Sequence, residues 1–175
     1  LDYFAQRQGK SFDKDGAIAE QGICNESALA TINGHVFYQQ DVPKSLNNSF
    51  SETEIIPVLE QESGENALNT SIRHIAYQIA KSLKPYCNDA KDYKMLLTGG
   101  GAFNTYLVAQ IQKAINEDNL NVSCEVPQDE IVQFKEALAM SLIGVLRWRE
   151  ENTVLESTGA SRPSIGGAVW IGQPY

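Results

Sequence analysis

Three consecutive glycines, Gly99, Gly100 and Gly101, are the residues of this sequence best suited to meet a ligand. A short apolar run, Met95-Leu96-Leu97, stops at them, and a helical pattern restarts at Asn104. Glycine lets the main chain come close to a bound molecule. The start of a helix presents N–H groups and the positive end of a dipole. The chemistry this implies is contact with an anion or a nucleotide. The spacing is not G-x-x-x-x-G-K-[ST], and it is not the dinucleotide fingerprint, because Asn104 stands where a third small residue belongs. The pattern alone leaves two readings open: a nucleotide contact, or a tight strand-to-helix turn that touches nothing.

Other candidates are weaker. Glu136 borders the apolar stripe of a long helix, next to Ile143 and with Met140 above it. Its functional reading is a carboxylate pointing into a cleft; a solvated boundary residue is the commoner outcome. Ala137, Ser141 and Gly144 give that helix a second face of small residues, which suggests close packing by another element or a ligand. In the tail, Arg162 sits within Ser157-Thr158-Gly159-Ala160-Ser161-Arg162-Pro163, a stretch that reads either as a surface turn or as an anion-meeting rim. The pattern places His74 opposite an apolar stripe, hence in solvent, and His35 in a loop. Neither histidine has partners at a spacing that favours nucleophilic catalysis. Asp13-Lys14-Asp15-Gly16 resembles the start of a calcium loop but lacks its glutamate, so a polar turn is the better reading.

The elements that must position these residues follow from periodicity. The opening LDYFAQRQGK reads as the middle of a helix, and Leu1 in place of Met suggests part of something longer. Asn25 caps a short helix, ESALATI, closed by Asn33-Gly34. Residues 34–50 show no period. Ser51 caps ETEIIPVLEQ, which Pro57 interrupts. The clearest helix runs from Asn66 to Leu83, with Leu68, Ile72, Ile75, Ala76, Ile79 and Leu83 on one face. Strands are expected at Lys94–Thr98 and Asn121–Val126, with a helix between them from Asn104 to about Ile115. A last long helix, Asp129–Glu150, carries a stripe of Ile131, Phe134, Leu138, Leu142 and Val145, flanked by further apolar residues. That width predicts burial over much of its circumference. A final strand-like AVWIG closes the chain. Strands alternating with helices indicate an α/β layered domain.

The 175 residues suit one domain, and 42% hydrophobic residues supply a core. With 14 basic against 22 acidic residues, the net charge of -8 argues against nucleic acid or an anionic membrane as partner. Nothing approaches the roughly 18–20 apolar residues of a membrane helix. Cys24, Cys87 and Cys124 are odd in number and widely spaced, so they read as reduced cytosolic thiols.

Taken in order, LLTGGGAFNTYL, FKEALAMSL and STGASRPSIGGAVW resemble the C-terminal half of anhydro-N-acetylmuramic acid kinases. Supporting matches are the FDKDG turn, Gly22 with Asn25 and Glu26, and Pro43-Lys44-Ser45. The resemblance runs over essentially the whole chain. It implies an actin-like, ribonuclease H-like ATPase lobe: a mixed sheet flanked by helices, in a two-lobed cytoplasmic enzyme with ATP between the lobes. Residues 1–175 would form a single C-terminal lobe, with 1–65 a helical and irregular entry and 66–175 an α/β core on the nucleotide side. The implied activity hydrates the 1,6-anhydro bond of a cell-wall amino sugar and phosphorylates O6, with ATP, Mg2+ and water, in peptidoglycan recycling. Gly99, Gly100, Gly101 and Asn104 match the family's adenosine-side loop, and Glu136 matches a glutamate near the sugar site.

The family's phosphate-binding segment, of the form GTMSGTSLDG, is absent from these residues, and its aspartate base is expected just upstream of Leu1. Phosphoryl transfer needs metal, phosphates and nucleophile held together. The chain alone is therefore expected to be inactive. An apolar patch facing a missing N-terminal lobe, and self-association as a homodimer, are expected with it. Two alternatives stand beside the kinase reading: a non-catalytic nucleotide- or sugar-binding module of the same superfamily, and an unrelated α/β domain whose glycine turn is structural.

Overall fold

The computed structural model describes residues 1–41, 44–47, 49–87, 91–170 and 172. They form two compact units, one of residues 1–40 and 46–133, the other of 41–45 and 134–175. In the first unit the order is α1 (Asp2–Arg7), α2 (Ala17–Gln21), α3 (Glu26–Asn33), α4 (Ile56–Leu59), α5 (Gly64–Leu83), β1 (Tyr93–Leu96), α6 (Thr105–Glu117) and β2 (Val122–Glu125). A further helix, α7 (Asp129–Trp148), begins in the first unit and runs into the second.

β1 and β2 pair in parallel, with Tyr93 opposite Val122 and Leu96 opposite Glu125. The pairing is parallel because α6 carries the chain back between them, as any such crossover must. The described sheet is this two-stranded parallel one and not the mixed sheet that the family resemblance implies. The strand expected at AVWIG does not form over Ala168–Trp170, and Ile171 lies outside the described residues. Pro43 of the Pro43-Lys44-Ser45 element also lies outside them. Within the stretch expected to lack a period, a 3-10 turn spans Val36–Gln39.

α5 is the hub of the first unit, and α1, α2, α3 and α6 all pack against it. Leu68, Ile72 and Ala76 of the expected stripe are buried, while Ile75, Ile79 and Leu83 are half-buried at its edge. Ala5, Ile32, Leu59, Leu107 and Ile115 complete the core. Burying a Leu or Ile side chain stabilises by about 1.5–3 kcal/mol.

α5 also buries polar residues. Thr70 accepts a hydrogen bond from the Asn25 N–H at 3.0 Å, and Asn66 accepts one from the Ile23 N–H at 2.8 Å. These bonds draw residues 22–25 onto the helix. A Cβ on Gly22 would lie 2.1 Å from the Glu65 carbonyl oxygen, so only glycine fits there. Asn25 then caps α3, accepting from the Ala28 N–H at 3.0 Å.

His74 corrects the sequence reading. It is not solvated but 6% exposed. Its Nδ1 lies 2.7 Å from Asn33 Oδ1, and its Nε2 lies 2.9 Å from the Tyr38 hydroxyl. Asn33 Oδ1 can only accept, so Nδ1 carries the proton and Nε2 accepts from Tyr38. A helical wheel assigns one buried face, but α5 is covered on more than one side.

α7 differs in the opposite sense. Of its residues only Val132 is buried; Phe134, Leu138, Met140, Leu142 and Val145 are all more than half exposed. Its small-residue face is open too, since a Cβ on Gly144 would meet nothing within 4 Å. An amphipathic pattern specifies the face a helix can bury, not that a neighbour lies within the same residues. In the second unit an antiparallel bridge joins Val154 to Ser164, and Arg147 donates to the Gly167 carbonyl at 3.1 Å.

Burial lowers the His74 pKa from 6.5 to about 4. Above pH 6.5 the imidazole is neutral in both states. Below it the unfolded chain takes up a proton that the folded chain refuses until about pH 4. Stability should therefore fall between these pH values, by up to about 3 kcal/mol, and level off below. Urea titrations across this range should show that slope in the unsubstituted chain and lose most of it in His74→Gln.

Candidate functional site

The turn between β1 and α6 is built from main chain. Gly99 has φ 81 and ψ 176, a region essentially reserved for glycine. Gly100–Phe103 then make one 3-10 turn, in which the Ala102 N–H donates to the Gly99 carbonyl at 2.9 Å. The Asn104 N–H donates to the Gly101 carbonyl at 3.1 Å. Asn104 caps α6, accepting from the Leu107 N–H at 2.9 Å, and is itself buried. Donors expected to await an anion are thus used inside the turn at Ala102, Asn104 and Leu107.

The FDKDG turn docks on the same helix start. Thr105 Oγ1 donates to the Asp15 carbonyl at 3.1 Å. Asp15 sits at φ 58 and Gly16 at φ 78, left-handed conformations that Asp tolerates and Gly prefers. A Cβ on Gly16 would lie 2.4 Å from Tyr106 Cβ and 2.5 Å from Asn104 Oδ1. Asp13 is buried and caps α2, accepting from the Ile18 and Ala19 N–H groups at 2.8 and 3.0 Å. The turn is therefore tied down by hydrogen bonds at both ends.

Between these two turns lies a cavity of about 640 Å3. Its walls are Leu1 with Asp2 of α1, Ser11 with Phe12 through Asp15 of the FDKDG turn, and Gly100, Gly101, Phe103 and Asn104. Gly100 faces open space and Gly101 has only Leu107 nearby, so the glycine wall has no side chain to occlude a ligand. Phe12 and Phe103 are 57% and 41% exposed. The structure thus brings Gly100, Gly101 and Asn104 together in one wall, with Gly99 starting the turn. Sequence reasoning missed Asp2, Phe12 and Phe103, which lie in segments it read as a generic helix or turn; no spacing rule marks them. Glu136 and Arg162 are exposed residues of the second unit. Cys24, Cys87 and Cys124 are free thiols; burial pushes Cys24 and Cys124 above their usual pKa.

The model of the anhydro-N-acetylmuramic acid kinase family matches residues 1–172. A protein of Bacillus cereus named anhydro-N-acetylmuramic acid kinase is 27% identical over 170 residues, covering 94% of this chain and 43% of the relative. One of the same name from Bacillus thuringiensis is 26% identical over 167 residues, covering 90% and 43%. The chain spans less than half the length of these curated relatives.

Two glycine substitutions separate fold from site. Gly16→Ala combines left-handed strain with a clash and should lose about 2–4 kcal/mol in urea denaturation. Gly100→Ala should keep the midpoint of the unsubstituted chain, because nothing lies where its methyl would go.

Proposed function

Because the chain belongs to the anhydro-N-acetylmuramic acid kinase family, we propose that it is the nucleotide-side, C-terminal lobe of an ATP-dependent kinase with an actin-like fold. The full reaction in this reading hydrates 1,6-anhydro-N-acetylmuramic acid and phosphorylates its O6 in the cytoplasm, during peptidoglycan recycling. The observation that carries the reading is the match over residues 1–172 to a family whose relatives bear that name. The glycine-walled cavity supports it, since it offers close main-chain approach at the carboxyl end of a parallel strand.

Within this reading Gly99, Gly100, Gly101 and Asn104 form the adenosine-side loop, and Asn104 works by fixing the turn. Glu136 is assigned to the sugar side on family resemblance alone. Magnesium would arrive on the nucleotide phosphates. Among the described residues no group of three His, Cys, Asp or Glu side chains is placed to hold a metal, and both Asp13 oxygens already accept hydrogen bonds. No helix among the described residues is long and apolar enough to cross a membrane.

The 175-residue chain should release no ADP when given ATP, magnesium and the anhydro sugar, because the phosphate-binding segment is not among its residues. Sustained, sugar-dependent ADP release would overturn this. It would also place the proton-accepting carboxylate within these residues, where Asp2 and Asp15 are the exposed ones at the cavity.

The open apolar face of α7 gives a second expectation. Exposed patches of this kind mark interfaces. The purified chain should sediment as a self-associating species, and Leu138→Glu should shift it toward monomer. A monomer at every concentration would count against the interface.

A further inference from the structure

The first unit holds a second cavity, of about 240 Å3, which shares only Leu1 with the glycine-walled one. Phe4 of α1, Tyr38 of the 3-10 turn, Phe50, and Ser71 and His74 of α5 all line it. Phe4 and Phe50 are buried. The Tyr38 ring meets those of Phe50 and His74 edge to face, at centroid distances of 6.1 and 5.1 Å. Packing therefore fixes these walls before any ligand arrives. None of the described side chains lining the cavity is charged at neutral pH, since burial keeps His74 neutral. A carboxylate or phosphate entering it would lose water and gain no opposite charge.

One polar group in this apolar space is unmatched. His74 has spent both ring nitrogens, on Asn33 and Tyr38. Ser71 is 6% exposed, and among the described residues its hydroxyl has no hydrogen-bond partner. Its oxygen is not sealed in, so it opens onto the cavity it lines. Buried hydroxyls are normally paired, and a molecule in the cavity with one donor or acceptor would pair this one. A space of about 150 Å3 is enough for benzene, so this larger one admits two fused rings.

We infer that this cavity is a binding site for a small, uncharged aromatic molecule bearing one hydrogen-bonding group, with Ser71 as its polar contact. The site is independent of the nucleotide-side reading, because it uses other walls and takes a ligand without charge.

The probe is indole, which has two fused rings, no charge and one N–H to donate to the Ser71 hydroxyl. Isothermal titration of the 175-residue chain should show saturable, one-site binding of indole. Indole-3-acetate should bind at least about tenfold more weakly, since its carboxylate would be buried unpaired. Ser71→Ala removes the polar contact without breaking a bond to any described residue. It should weaken indole about fivefold, the worth of one neutral hydrogen bond, while the urea midpoint holds or rises. Ser71→Leu should abolish binding by filling the space. Leu138→Glu, on the open face of α7, should leave indole binding unchanged and so separates the cavity from adsorption to that face. The inference is overturned by any of three results: no saturable indole binding, equal binding of indole-3-acetate, or loss of binding in Leu138→Glu. Affinity held within about twofold in Ser71→Ala would overturn it too, and that variant decides even where Ser71→Leu fails to fold.

Discussion

The side-chain amide of Asn69 holds the first unit in register. From the buried middle of α5 it donates to the Ala19 carbonyl at 2.9 Å and to the Tyr106 hydroxyl at 3.0 Å. Ala19 belongs to α2, directly after the FDKDG turn, and Tyr106 to the first turn of α6, directly after the glycines. One amide therefore fixes both walls of the cavity to the same helix. A buried amide left without partners costs about 1–3 kcal/mol, so the arrangement resists sliding. Thr70 and Asn66 repeat the device on residues 22–25, and Gly22 lets that segment lie directly on the helix backbone.

Three of the five positive-φ residues described in the first unit lie where those walls meet, Gly9 and Asn119 being the other two. Gly16, Asp15 and Gly99 all have positive φ, and each lies in or beside a turn that lines the cavity. A non-glycine residue in the left-handed region costs of order 1–3 kcal/mol and persists only when its surroundings enforce it. Here the enforcement is visible: Asp15 is held by Thr105, and Asp13 is pinned by two backbone donors. The packed core supplies the stability, and the turns use part of it to keep an open space with bare main chain on one side. Packing does not require a glycine at position 100, where a methyl would meet nothing within 4 Å.

Local pattern made the elements legible. α5, α6 and α7 and both strands fall within a few residues of where periodicity places them, and the caps at Asn25 and Asn104 are short-range chemistry that a sequence carries in full. The glycine wall was legible for the same reason. Burial was not, and the two large errors are one error with opposite signs. On α5 His74 looked solvated because a helical wheel knows one face; neighbours from distant sequence cover the others and supply its hydrogen bonds. On α7 the broad apolar stripe looked buried, yet Phe134, Leu138 and Leu142 stand open. Periodicity reports what a helix is prepared to bury. Whether it does depends on residues that meet it in space, and for α7 the described residues contain too little to cover it. The cavity shows the same limit, since Asp2, Phe12 and Gly100 line one space across almost a hundred residues of sequence and no local rule could join them.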